Sequence, residues 1–265
     1  MKKLLASDVD GTLYVDDKIH DKSVEYIKKF RENGHAFLLC TGRNFGGIKY
    51  LVEEYDIEAD GYVLCNGSVV LDKNLNVIYS EEIEYSTIKK VFEDSKNKNE
   101  YNFYFADEEN LYIIDGYYNN PILKVDGMEK KWNVIRISEE EFYKNRYTAN
   151  IIGIEVIDKS IEKTEKKIKA IDSKLGDEVT AYRNKYFIDI VPKDASKAEG
   201  ISKVLDTYGV KDEDVFVIGD SWNDLSMFRK YNKNSYTFSY AEEELKPHAS
   251  NVVDAFHNCL EVIIK

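Results

Sequence analysis

Short apolar runs alternate with amphipathic helical stretches over residues 2–65, and the same alternation resumes after residue 190. Residues 2–8, 35–40, 61–65 and 214–219 are strand-like, and their near-continuous hydrophobicity suits strands buried on both faces of a parallel sheet. Between them, Val24, Ile27 and Phe30 give residues 22–33 helical spacing, with Gly34 as the stop, and residues 44–55 form a second helix. Asn66-Gly67 is a turn signal, followed by a hairpin over 68–71 and 76–80. After residue 190, helices are expected at 196–208, 223–231 and 256–264, with a strand at 235–238. Strand–helix–strand order of this kind implies a parallel sheet with right-handed crossovers, hence an α/β core.

The middle of the chain has a different texture. Tyr and Phe are frequent, and short alternating runs recur at Tyr101 to Phe105, Leu111 to Ile114, Val134 to Ile137, Ile151 to Ile157 and Tyr186 to Ile190. Helical stretches interleave near 86–97 and 160–173. This pattern predicts an antiparallel sheet with helices on one face. The chain is therefore read as a core built from residues 1–82 and 189–265, interrupted by an α+β module over 83–188. The aromatics Tyr101, Tyr104, Tyr112, Tyr117 and Tyr118 either line a substrate site or fill the core of the small sheet; the second is the commoner use of such residues.

The 265 residues carry a net charge of -12, which argues against nucleic acid as the main partner, because phosphate backbones demand basic surface. A small phosphorylated substrate remains compatible, since a metal and one lysine can reverse the field inside a cleft. No apolar run approaches the ~20 residues of a membrane span, and the apolar start ends at Asp8, too short for a signal peptide. No membrane association and a cytoplasmic location are expected. The three cysteines agree: Cys40, Cys65 and Cys259 are far apart without metal-ligand spacing and read as small buried hydrophobes.

Four stretches carry chemistry. Asp8-Val9-Asp10-Gly11-Thr12-Leu13 ends the first apolar run, so two carboxylates are delivered to the rim where α/β sheets gather their chemistry. Acids there can hold a hard cation, attack an electrophile or move a proton. An EF-hand reading fails, because Gly11 and the apolar Leu13 break its ligand spacing. Thr41-Gly42-Arg43 ends the strand at 35–40; a hydroxyl and a glycine N–H at a strand end can hold phosphate oxygens, and Arg43 reads as a structural or rim residue. Ser196 and Glu199 form a capping-box pattern that makes Lys197 the first residue of a helix, where its charge is unfavourable unless an anion is near. Gly219-Asp220-Ser221-Trp222-Asn223-Asp224 places two acids and an amide after another apolar strand. Helix capping accounts for part of this run and leaves Asp220 unexplained.

Taken in order, these motifs, with Met227, resemble the haloacid dehalogenase superfamily of phosphotransferases, in particular its Cof-type (type IIB) branch. The resemblance spans nearly the whole chain. It implies a Rossmann-like parallel-sheet core with an inserted α+β cap of type IIB that selects the substrate. It further implies a magnesium-dependent phosphatase acting on small phosphomonoesters such as sugar phosphates. In that scheme Asp8 is the nucleophile that forms an aspartyl-phosphate and Asp10 is the general acid/base. Mg2+ is held by Asp8, Asp220 and the Asp10 backbone carbonyl, with Asp224 acting from behind or through water. Thr41, Gly42, Lys197 and Asn223 bind the phosphoryl group, and Asn66-Gly67 is a further candidate for substrate contact.

One position departs from the resemblance. The family usually has Asn before Ala near the catalytic rim, whereas this chain has Tyr240-Ala241. A phosphomutase, which would pass the phosphoryl group to a second substrate hydroxyl, is an alternative reading. A non-catalytic metabolite-binding protein is a third, disfavoured because Asp8, Asp10, Lys197 and Asp220 are all present.

Overall fold

The computed structural model describes residues 2–121 and 127–264. The first segment contains β1 (Leu4–Ser7), a small hairpin of β2 (Tyr14–Val15) and β3 (Lys18–Ile19), α1 (Asp21–Glu32), β4 (Ala36–Cys40), α2 (Phe45–Glu54), β5 (Gly61–Leu64), β6 (Val69–Asp72) and β7 (Val77–Ser80). The inserted segment contains α3 (Tyr85–Asp94), β8 (Tyr101–Ala106), β9 (Leu111–Ile114), α4 (Met128–Lys131), β10 (Val134–Ile137), α5 (Glu139–Asn145), β11 (Ile151–Val156), α6 (Ile161–Leu175), β12 (Val179–Asn184) and β13 (Phe187–Pro192). The last segment contains α7 (Lys197–Ser202), α8 (Leu205–Tyr208), β14 (Val215–Ile218), α9 (Leu225–Lys230), β15 (Ser235–Phe238), β16 (Asn251–Val253) and α10 (Phe256–Ile263).

The chain forms two compact units. The first comprises Met1–Thr41, Leu51–Tyr79 and Ser196–Lys265, and the second Gly42–Tyr50 and Ser80–Ala195. The sequence placed the joins after residues 82 and 188 and kept 42–50 with the core. The grouping of Gly42–Tyr50 with the inserted segment has a local cause. Phe45 N–H donates to the Glu108 carbonyl at 2.9 Å, Asn44 Nδ2 donates to the Asp107 carbonyl at 3.1 Å, and the Arg43 guanidinium lies 5.1 Å from the Trp132 ring centroid.

The first unit is built on a sheet in the order β16-β15-β14-β1-β4-β5-β6-β7. β16, β15, β14, β1, β4 and β5 run parallel, and β6 returns antiparallel to β5. β1, β4, β5 and β15 are buried at every residue, as strands covered on both faces must be. Leu4, Ala6, Leu38, Val63, Val215 and Val217 pack with Ile201, Met227 and Phe228 in one core. The helix expected over 196–208 is two pieces, because the turn at Lys203–Val204 separates α7 from α8.

The second unit is an α+β layer with strand order β10-β9-β8-β11-β13-β12. Its pairs are antiparallel except β9 with β10, which run parallel, a departure from the expected antiparallel pattern. One face carries Phe103, Phe105, Ile152, Ile154, Ile188 and Ile190, packed against Ile88, Val91 and Phe92 of α3 and Ile171 and Leu175 of α6. The tyrosines divide between two uses. Tyr117 belongs to this core and Tyr101 and Tyr112 pack against it, whereas Tyr104 and Tyr118 meet edge to face at 5.7 Å outside it. All three cysteines are buried and unpaired by disulfides, and no helix among the described residues is long and apolar enough to cross a membrane.

Candidate active site

β1 lies between β14 and β4, so the segments that follow these three strands leave the sheet side by side at one edge. Asp8 is the first residue past β1, and its N–H donates to the Ile218 carbonyl at 3.0 Å, which extends the β1–β14 ladder by one step. The chain then turns sharply. Thr12 and Tyr14 N–H groups both donate to the Val9 carbonyl, and Gly11 N–H donates to the Tyr14 carbonyl at 2.9 Å. Gly11 has φ +85°, and a Cβ there would stand 2.4 Å from Asp220 Oδ2, so only glycine lets this turn close on Asp220. Thr12 Oγ1 donates to Asp220 Oδ1 at 2.9 Å, fixing that carboxylate from the same loop.

Lys197 enters from α7. Ser196 caps this helix by accepting the Glu199 N–H, as expected, while the Glu199 carboxylate pairs instead with Lys230. The helix start is brought in by Gly67, which has φ +100° and approaches so closely that a Cβ would lie 2.0 Å from the Ser196 carbonyl oxygen. Lys197 is fully buried, and its Nζ donates to Asp8 Oδ1 and to Asp224 Oδ1, each at 2.6 Å. The unfavourable charge at a helix start is thus answered by two buried carboxylates. Asp224 uses its other oxygen to accept the N–H groups of Asp220 and Ser221 at 2.9 and 3.0 Å. Both Asp224 oxygens are therefore engaged in holding Lys197 and the Asp220 backbone. Asp8 differs, since Oδ2 accepts no hydrogen bond among the described residues.

Carboxylate oxygens of Asp8, Asp220 and Asp224 lie within 4.8 Å of one another, all three residues buried. One ammonium among three carboxylates leaves uncompensated negative charge. Burial, reinforced by Asp224, Asp220 and Asp10, holds the Asp8 carboxyl well above the usual range despite the opposing pull of Lys197. Burial alone would depress Lys197, but Asp224 and Asp8 outweigh it and keep the ammonium charged. A hard divalent cation with oxygen ligands fits this donor set and relieves its repulsion.

Thr41 is buried one position past β4; its N–H donates to the Val63 carbonyl and its carbonyl accepts the Asn66 N–H. Asn66 Oδ1 in turn accepts from Asn223 Nδ2 at 3.2 Å, and Asn223 Oδ1 is buried without a partner among the described residues. Asp10 is half-buried in the loop after Asp8, and Gly42 is half-buried after Thr41. Arg43 is engaged locally by the Gly47 carbonyl and the Tyr50 hydroxyl. Two contacts escaped the sequence reading: the grip of Thr12 on Asp220, and the Tyr240 hydroxyl donating to the Gly11 carbonyl at 2.8 Å. Thr12 stood inside the first motif; for Tyr240 no local pattern announces a contact with Gly11, which lies 229 positions away.

A parallel α/β sheet with an acid cluster past its central strands, interrupted by an α+β insertion, defines a class of hydrolases, and direct comparison specifies it. The sequence profile of the haloacid dehalogenase-like hydrolases matches residues 5–258, and the chain belongs to that family. Bacillus subtilis YwtE, a 5-amino-6-(5-phospho-D-ribitylamino)uracil phosphatase, is 26% identical over 243 residues, covering 85% of this chain and 84% of its own. Among solved structures, the subclass IIB sugar phosphatase BT4131 superposes with TM-score 0.78 at 23% identity, covering 97% of this chain and 95% of that one. A haloacid dehalogenase-like hydrolase from B. subtilis superposes with TM-score 0.84 at 18% identity, covering 99% of each chain.

Proposed function

We propose that this protein is a magnesium-dependent phosphatase of small phosphomonoesters, of the phosphorylated sugar or polyol kind, working through an aspartyl-phosphate on Asp8. The observation that carries the reading is the state of Asp8: Oδ1 is held by Lys197 at 2.6 Å, while among the described residues Oδ2 accepts no hydrogen bond. A carboxylate fixed by one oxygen and unengaged at the other is arranged for attack on phosphorus. YwtE and BT4131, named as phosphatases of a phosphoribityl compound and of sugars, support the substrate class.

In this mechanism Asp8 Oδ2 bonds to phosphorus as the ester P–O bond breaks, and Asp10 gives its proton to the departing alcohol oxygen. Asp10, now a carboxylate, takes a proton from a water whose oxygen attacks the aspartyl-phosphate. The Asp8–phosphorus bond breaks, inorganic phosphate leaves, and both aspartates return to their starting forms. Lys197 offsets the repulsion between Asp8 and the phosphate dianion and keeps Asp8 in place. Thr41, Gly42 and Asn223 donate hydrogen bonds to the phosphoryl oxygens, Asn223 through its Nδ2, which has a second hydrogen beside the one it gives to Asn66 Oδ1. Asp8, Asp220 and the Asp10 carbonyl are the ligands for magnesium, with Asp224 orienting Asp220 and Lys197. When bound, the ion supplies positive charge against the phosphoryl oxygens. The inserted unit, within about residues 83–188, serves as the cap that selects the leaving group.

Phosphate release from p-nitrophenyl phosphate, with magnesium and with EDTA, tests the reading, followed by a panel of phosphorylated sugars and polyols. Asp8→Asn is expected to remove activity by more than about 10⁴-fold while leaving the fold intact. Turnover that survives in Asp8→Asn, or in EDTA, would overturn it. Formation of an isomeric phosphate in place of inorganic phosphate would favour a mutase.

A further inference from the structure

The turn after β15 carries Tyr240. Its ring is half-exposed and stacks on Phe238, with centroids 4.7 Å apart and planes 14° from parallel. That stack aims the hydroxyl at the Gly11 carbonyl, 2.8 Å away. Gly11 is already held on two other sides. Its N–H donates to the Tyr14 carbonyl, and its Cα lies against the Asp220 carboxylate. The Tyr240 hydroxyl supplies the third hold, from a segment 229 positions away.

We propose that Tyr240 is a positioning residue for Asp10, fixing the Asp10–Gly11 turn through the Gly11 carbonyl. The inference rests on the phosphatase reading, in which Asp10 is the proton donor to the leaving alcohol. The Gly11 carbonyl lies in the peptide that follows Gly11, and the Asp10 carboxyl hangs from the Cα before it, so slack in the Gly11 φ and ψ would pass back to the acid and move it from the oxygen it must protonate. Proton transfer is sensitive to such displacement. The ring stack on Phe238 pre-sets the tyrosine in its place.

A general acid matters most when the leaving group is a poor one. An alkoxide departing from a sugar phosphate needs a proton; p-nitrophenolate does not. The test is therefore Tyr240→Phe, which keeps the ring and its stack but removes the hydroxyl, assayed by kcat/KM on a hexose 6-phosphate and on p-nitrophenyl phosphate. Loss of one positioning hydrogen bond is expected to lower kcat/KM for the hexose ester about tenfold. The value for p-nitrophenyl phosphate should stay within about twofold, because its departure does not need the acid. Equal losses on both esters, or no loss on either, would overturn the assignment. Failure of the unsubstituted protein to hydrolyse either ester would instead overturn the phosphatase reading, and this inference with it. A thermal midpoint matching that of the parent protein confirms that the comparison is between folded molecules.

Discussion

Lys197 and Asp8, 189 positions apart in sequence, form a 2.6 Å ion pair in which the lysine side chain is fully buried and the aspartate side chain 6% exposed. The same ammonium also serves Asp224, fully buried at 2.6 Å. Buried charges are tolerated when paired and become costly when a partner is removed.

Replacing the lysine tests this directly. Lys197→Met leaves Asp8 and Asp224 facing each other without a counter-charge. In EDTA the substitution should destabilise the protein by about 3 kcal/mol or more in urea unfolding. Magnesium should recover part of that loss by placing positive charge on Asp8 and Asp220, beside Asp224. A variant as stable as the parent in EDTA would mean that the ion pair is not formed in solution.

Cation binding should be visible without any assay of turnover. At a hundredfold excess over its Kd, magnesium should stabilise the parent protein by about 2.7 kcal/mol, read as a rise in thermal midpoint. Asp220→Asn removes one of the three clustered carboxylates and should abolish most of the rise. An equal rise in both proteins would place the cation elsewhere.

Gly67 and Gly34 both have positive φ, +100° and +82°, but only Gly67 has backbone in the path of a side chain. Gly34→Ala should cost about 1 kcal/mol of unfolding free energy, from conformation alone. Gly67→Ala should cost about 2–4 kcal/mol, since the Ser196 carbonyl must also move. It should lower kcat as well, because Lys197 follows Ser196 directly. Equal costs at the two positions would show that α7 has room to shift.

In the second unit, Lys167 is buried with its Nζ on the Asp94 carbonyl and on Asp94 Oδ2, while Lys174 takes Oδ1. Hydrogen bonds from Lys167 and Lys174 hold the Asp94 carboxyl below its ordinary 3.8. A carboxyl lowered in the folded state stabilises above its unfolded value, and that contribution is lost as the pH falls below it. Asp94→Asn should therefore cost about 1 kcal/mol at pH 7, discounted because the carboxylate is partly exposed. The gap between variant and parent should close as the pH is lowered below 3.8. A gap that persists unchanged in acid would assign the loss to packing.

The parts legible in sequence are those in which one local rule governs. β1, β4, β5 and β14 are apolar but for Ser7, and the polar residues Asp8, Thr41, Asn66 beyond Cys65, and Asp220 beyond Gly219 follow them, so their burial and the change of polarity at the site are written along the chain. Ser196 announces the start of α7. What the sequence did not disclose depends on partners distant in the chain. β16 is three residues long and β2 and β3 two each, too short for a periodic pattern. β12 mixes polar and apolar residues because most of it is only half-buried at a sheet edge. The parallel pairing of β9 with β10 is a matter of connection, not composition. The double engagement of Asp224 could not be inferred either, since helix capping and ion pairing call for the same residue type.

The strand order gives the chain a timetable. β1 is made well before one of its two neighbours, β14, because the whole inserted segment lies between them in the chain. A nascent polypeptide that has reached residue 200 still lacks the strand that flanks Asp8. Premature termination anywhere before β14 therefore yields a product with an open hydrogen-bonding edge at the middle of its sheet, a species for chaperones and proteases to clear. The acid cluster therefore cannot assemble until the chain has been made past Asp224.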